Sequence, residues 1–362
     1  MSIDLRFQNK TRYIDHTFQD APQIELGYGS YVNILNKVLV EGINFRVPSK
    51  IEMLGEGRVQ ITFTDAPYYP VETVIKIKGF GDDRIDGCHR VMETEGSSVF
   101  FYIKNYETPL VIPVAISSVS VCTAPLGFSR VYTNTSNSIM CFKTATQSTA
   151  GILKVIDQIP PNGYLTSWAH FARVVAGEKI DSEGNFVGNF KTPYHPVYPD
   201  VELTGNGVSG SNGIFGFAKW KYRVTDHYYG YEYTGSLYDK ARPWFIIGDG
   251  DTFYMIFNPG PDSSLHGFGH IDSVAEHCIA LQAVDGYVKA QDNGDQYSYG
   301  KAFNPWGNVM KSSSGSFLLH SAHGAVTNRT LRYFSGGKYF GEVEKSTPWK
   351  SNEIPVYNPT TG

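Results

Sequence analysis

Three groups of residues in this chain have types and spacing that invite a chemical reading. The first is Gly248-Asp249-Gly250-Asp251, whose two carboxylates could hold a divalent cation. An EF-hand loop, however, needs oxygen donors at several further positions and a glutamate at its twelfth. Here Met255 stands six residues after Asp249, inside an apolar run. Glycine and aspartate between two β-like runs also suit a hairpin connection, since both residues tolerate φ > 0. We expect a hairpin, with a cation site as the alternative.

The second group is His266, His270 and His277, three imidazoles within twelve residues, joined later by His320 and His323. Imidazoles that converged could bind zinc. Yet glycines space the first pair in His266-Gly267-Phe268-Gly269-His270, so they do not share a helix face as in H-E-x-x-H. No carboxylate stands in the metalloprotease position either. Loop or packed histidines are expected, and these five are where a metal would be sought. The third group is Ser314, Ser316 and Ser321, which have histidines nearby but no G-x-S-x-G elbow. Scattered Asp and Glu residues could form a glycosidase pair, whose separation a sequence does not reveal. No catalytic, cofactor-binding or metal residue is assigned. Asn134 and Asn328 match glycosylation sequons, which carry no weight without a secretory signal.

Two tyrosine-rich segments are more informative: Asp65-Ala66-Pro67-Tyr68-Tyr69-Pro70 and the stretch from Asp226 to Tyr233. Tyr229, Tyr231 and Tyr233 share a face if the latter is a strand. Packing by alternation, a protein interface and a sugar-stacking platform all remain open.

The 362 residues suffice for more than one domain, and 24 Tyr and 22 Phe allow a sizeable core. Charged residues make up only 18%, below the roughly 25% usual for soluble proteins. Gly and Pro, 37 and 19, are spread along the chain and read as many turns. The net charge is −4 without long runs of one sign, which offers neither nucleic acid nor an anionic membrane an electrostatic footprint. Cys88, Cys122, Cys141 and Cys278 lie near apolar residues and form no C-x-x-C pair, so reduced thiols are expected. The first residues do not read as a signal peptide, and no apolar stretch is long enough to span a bilayer.

These features imply a mainly β fold: small barrel-like or sandwich-like units, one N-terminal amphipathic helix and long ordered loops. Apolar residues at Tyr31, Ile34, Leu35, Val38 and Leu39 predict a helix over 31–41, with Ser30 as N-cap and Gly42 closing it. Period-two runs then predict strands at 59–63, 74–78, 90–94 and 98–103. A further strand at 111–116 is weakened by Pro113. Later strands are expected at 151–159, within 217–234, and at 244–247, 252–257 and 316–320, while 167–175 reads as helix or strand. The domain reading is an arm at 1–28 and a helix with a small β domain at 29–145. A second β-rich domain follows at 146–345, with a long loop at 181–215, and then a tail at 346–362. The loop carries Phe186, Phe190, Tyr194 and Tyr198, which suits docking on neighbouring subunits.

Several blocks, in order, resemble a widespread family of tailed-bacteriophage virion proteins. These are the helix 32–42, Ile75–Gly79 with Asp86–Val91, Ala124-Pro125-Leu126-Gly127-Phe128, and Phe171–Val174. The most specific is Arg242-Pro243-Trp244-Phe245-Ile246-Ile247-Gly248-Asp249-Gly250-Asp251-Thr252-Phe253-Tyr254, followed by His266-Gly267-Phe268-Gly269-His270. Cys88, His89 and His270 depart from the family pattern; His270 stands where an aspartate is usual, which argues against a shared acidic metal site. The resemblance implies a non-enzymatic structural subunit of the tail, baseplate or neck, located in the virion. Its partners would be other virion proteins and copies of itself, with no nucleic acid, membrane or cofactor. A tail protein that binds or cleaves host polysaccharide is the alternative.

Overall fold

The computed structural model describes residues 11–25, 27–111, 115–145, 151–159, 170–187, 191–192, 218–223, 243–257, 265–271, 278–283, 287–289, 296–298 and 315–320. The fold is mainly β, as the residue patterns predict, and its named sheets are antiparallel.

Strand β1 (Arg12–Asp15) comes first, then helix α1 (Ser30–Asn36), which runs into a π-helical turn at Lys37–Glu41. A small sandwich follows: β2 (Ile43–Arg46), β3 (Lys50–Gly55), β4 (Arg58–Thr62), β5 (Val74–Lys78), β6 (Gly87–Arg90), β7 (Glu93–Glu95), β8 (Ser98–Tyr102) and β9 (Ser120–Thr123). Its sheets run in the orders β2-β9-β5-β6 and β3-β4-β8-β7. Alternation explains the packing, because Val59, Ile61, Val99 and Phe101 from one sheet meet Ile75, Ile77 and Val121 from the other.

A larger body is built from two six-stranded sheets. One contains β10 (Ser129–Thr133), β11 (Ile139–Lys143), β12 (Ile152–Ile156), β13 (His170–Gly177), β14 (Lys191–Thr192) and β15 (Ala218–Arg223). The other joins β1 to β16 (Trp244–Gly248), β17 (Thr252–Phe257), β18 (Leu265–Ile271), β19 (Cys278–Ala283) and β22 (Gly315–His320). Between the last two in sequence lie β20 (Tyr287–Lys289) and β21 (Gln296–Ser298), which pair as a ribbon.

Helix α1 lies within the core that these two sheets share. Tyr31 contacts the rings of Trp220 and Tyr222 from one sheet and Phe257 from the other. Tyr31, Val32, Ile34, Leu35, Val38 and Leu39 are all fully buried. Each such side chain contributes roughly 1.5–3 kcal/mol, so the helix owes its existence to its surroundings. Asn33 is its only exposed residue, and the expected amphipathic helix is therefore enclosed on nearly every side.

Ser30 does not cap it. Gly29 holds the N-cap position at φ 98, and the oxygen that receives the helix amides belongs to Asp157. Asp157 Oδ2 accepts from the backbone N–H of Gly29 at 2.7 Å, Tyr31 at 3.0 Å and Val32 at 3.3 Å. Its Oδ1 accepts from the Tyr222 hydroxyl at 2.6 Å. Burial raises the carboxyl above its ordinary value, while Tyr222 and the three amides pull against that rise.

At the other end, the segment Leu126–Phe128 takes the last carbonyls: Leu126 N–H donates to Val38 O, and those of Gly127 and Phe128 to Leu39 O. Gly42 N–H returns to Lys37 O, which makes the final turn π-helical rather than α-helical. Gly42 closes it as predicted, at φ 93, where a Cβ would also meet Thr123 O at 2.7 Å.

Other expectations shift. Residues 12–24 of the expected arm are built into the larger body, where Ile14, Phe18 and Ile24 enter the core. The strand predicted at 90–94 divides into β6 and β7; of the one predicted at 111–116, Ile116 begins the 3-10 turn Ile116–Ser118 and 112–114 lie outside the described residues. Of the undecided 167–175 segment, residues 170–175 belong to β13 and 167–169 lie outside the described residues, while 266–270 falls within β18 rather than a loop. The two core clusters part the described chain near 43–51 and 121–126, so the helix and residues 126–142 pack with the larger body.

Removing the buried acceptor should be costly. Asp157→Ala strands four donors and should lower unfolding stability by about 3–5 kcal/mol. Tyr222→Phe removes a single donor and should cost about 1–2 kcal/mol. Urea denaturation checks the ranking, and equal small losses in both variants would show that this cap is not what holds the helix.

Candidate interaction surface

The three chemical candidates resolve differently. Gly248–Asp251 is the β16–β17 turn, with Asp249 N–H bonded to Thr252 O at 2.8 Å. Asp249 Oδ1 accepts from the amides of Asp251 and Thr252, both at 2.9 Å, so its carboxylate serves the turn. Burial raises this carboxyl above its ordinary value. Neither Gly248 nor Gly250 takes positive φ; a Cβ on Gly248 would overlap Thr252 O, and one on Gly250 would meet Ala145 Cβ at 2.8 Å. Close approach, not left-handed backbone, is the reason for glycine here.

His266 is buried and lies parallel to Trp220, with ring centroids 5.8 Å apart. His270 and His320 sit on β18 and β22, and strand β19 separates those two strands. His277 and His323 lie outside the described residues, as do Ser314, Ser321 and the tyrosines of 226–233. Ser316 lies on β22. Among the described residues no three His, Cys, Asp or Glu side chains are grouped to hold a metal. Burial pushes the Cys122 thiol up to about 11 and that of Cys141 up to about 12, which keeps both protonated at neutral pH. No helix among the described residues is long and apolar enough to cross a membrane.

The tyrosine segment Asp65–Pro70 does form a surface feature. Tyr69 points inward, 1% exposed, and its hydroxyl donates to Asn44 O at 2.6 Å and to Val121 O at 3.1 Å. Asn44 Nδ2 donates back to Pro67 O at 2.7 Å, tying β2 to the 67–72 loop. Tyr68, the next residue, is 66% exposed. Phe45, Val47 and Val71, on the same two segments, are exposed as well. Three non-glycine residues of this corner have left-handed backbone: Asn44 at φ 53, Tyr68 at φ 49 and Glu72 at φ 70. Such conformations cost about 1 kcal/mol or more each and persist where surrounding structure imposes them. The corner thus presents large apolar side chains on a strained, internally braced backbone, which suits recognition by a partner.

The same sandwich is braced at its other loops by Arg84. Its guanidinium donates to Asp82 and to the carbonyls of Asn105, Thr108 and Pro109, fixing the 105–109 loop. The Arg84 guanidinium holds the Asp82 carboxyl well below the usual carboxylate range. No local sequence signal marks Arg84, because three of its partners are backbone carbonyls 21, 24 and 25 residues away.

No family model and no curated protein matches the chain.

Because Tyr68 is exposed and strained, its replacement tests whether the corner is kept for contact rather than stability. Tyr68→Gly should be more stable than Tyr68→Ala by about 1 kcal/mol, since only glycine adopts this backbone without steric cost. Thermal unfolding of the two variants provides the comparison, and a reversed order would remove the strain argument.

Proposed function

We propose that this chain is a non-enzymatic structural subunit of a tailed-bacteriophage virion, placed in its tail, baseplate or neck. It acts there through contacts with other virion proteins and with copies of itself. The observation that carries this reading is where the residues of the resemblance fall: they build scaffold junctions. Trp244 is fully buried and donates from Nε1 to Pro22 O at 3.0 Å. Leu126–Phe128 terminate the buried helix, and Ala145 N–H donates to Gly250 O at 2.8 Å, joining the two sheets of the larger body. Arg12 adds a side-chain bond to Pro125 O. Shared residues spent on backbone junctions fit a family that shares an architecture rather than a reaction. The exposed corner around Phe45 and Tyr68 supplies the kind of surface that a neighbouring subunit would cover.

The test is mass spectrometry on gradient-purified particles from a host carrying the encoding genome. The chain should co-purify with particles in a fixed ratio to the other virion proteins. Its absence from intact particles, with the protein recovered only from the soluble lysate, would contradict the proposal.

A further inference from the structure

Strand β12 sends Leu153 and Val155 into the core and carries Lys154 on its other face. Lys154 is nevertheless only 3% exposed. A buried ammonium is costly to hold in a sheet, and what covers it is a tight hairpin formed by residues 180–186.

In that hairpin Ile180 bridges Phe186, Gly184 N–H donates to Asp181 O at 3.2 Å, and Asp181 N–H donates to Asn185 O at 2.9 Å. Asp181 Oδ1 accepts from the amides of Glu183 and Asn185, both at 2.9 Å. Gly184, at φ +76, lies against the ring of Tyr132 so closely that a Cβ would overlap it. Cys141 lies opposite Lys154 in the β11–β12 register, and its Sγ faces Gly184 O at 3.9 Å. The hairpin is thus pressed onto the sheet.

This seating brings Lys154 Nζ within 3.3 Å of the Asn185 carboxamide oxygen. The backbone amides of Asn185 and Glu183, with smaller contributions from the Asn185 side chain and the charge of Lys154, hold the Asp181 carboxyl below its ordinary value. An amine, a carboxamide and a carboxylate are therefore held together where the hairpin meets the sheet, with Lys154 buried, Asn185 half-buried and Asp181 exposed.

We propose that Lys154 and Asn185 join in an intramolecular isopeptide bond, with the Asp181 carboxylate as proton carrier. Asp181 takes a proton from the ammonium, and the neutral Nζ attacks Cγ of Asn185. The new Nζ–Cγ bond forms as the Cγ–Nδ2 bond breaks. Asp181 passes protons from Nζ to the departing nitrogen, which leaves as ammonium. One ammonium is consumed and one released, so charge, atoms and electrons balance without an oxidant. Fixed proximity supplies the rate that a free amine and amide lack in solution. The product replaces a buried charge with a neutral amide and closes a loop between residues 31 apart in sequence.

Peptide mapping by mass spectrometry of the full chain, incubated at neutral pH after purification, tests the proposal. A linked peptide pair joining Lys154 to Asn185, lighter than its parts by one ammonia, is expected, and trypsin should fail to cleave after Lys154. Lys154→Arg and Asn185→Ala should abolish the linked pair. Asp181→Ser keeps a side-chain oxygen for the turn amides but removes the carboxylate, and should slow linkage at least ten-fold. Full recovery of unlinked peptides from the wild-type chain would overturn the bond. Linkage at an undiminished rate in Asp181→Ser would overturn the assigned proton carrier.

Discussion

The fold of the larger body depends on one buried carboxylate. Asp157, at the end of β12, receives the N-terminal amides of α1 and the hydroxyl of Tyr222 on β15. A helix enclosed by two sheets has nowhere to solvate its first amides, so an acceptor must come from the protein. Asp157 supplies it and at the same time ties the helix to two strands of one sheet. Tyr31 carries the link to the opposite sheet through Phe257 and through its hydroxyl on Met255 Sδ. The C-terminal carbonyls are treated in the same way by Leu126–Phe128. Both ends of the helix are thus closed by strand and loop residues rather than by its own sequence.

That arrangement explains why the helix was legible but its capping was not. The apolar spacing of Tyr31, Ile34, Leu35, Val38 and Leu39 marks a helix, because the period is local. Ser30 is the residue that local rules select as a cap, yet its hydroxyl donates to Gly27 O and the amides bind a residue 126 positions downstream. The β16–β17 hairpin was legible from strand alternation around two glycines and two aspartates. Strand β18 was hidden because Gly267 and Gly269 look like loop residues. A Cβ on Gly269 would overlap Thr252, so one of those glycines answers a close strand–strand approach. In the tyrosine pair, composition gave no sign that Tyr69 turns inward while Tyr68 faces solvent.

The two bodies divide their tasks. The larger one concentrates its aromatic residues inside, with Trp220, Trp244, Phe253 and Phe268 all fully buried. The small sandwich keeps a compact core and, at the β2 corner, exposes Phe45 and Tyr68 beside left-handed backbone at Asn44, Tyr68 and Glu72.

Native-state hydrogen exchange addresses the dependence on Asp157 most directly. The amides of Tyr31 and Val32 donate to a carboxylate enclosed by the core, so they should exchange only through global unfolding of the larger body. Their opening free energy should then equal that of the central amides of β12 and β17. If Tyr31 and Val32 instead exchange through local openings several kcal/mol cheaper, while both strands stay protected, the helix is not the element on which the two sheets depend.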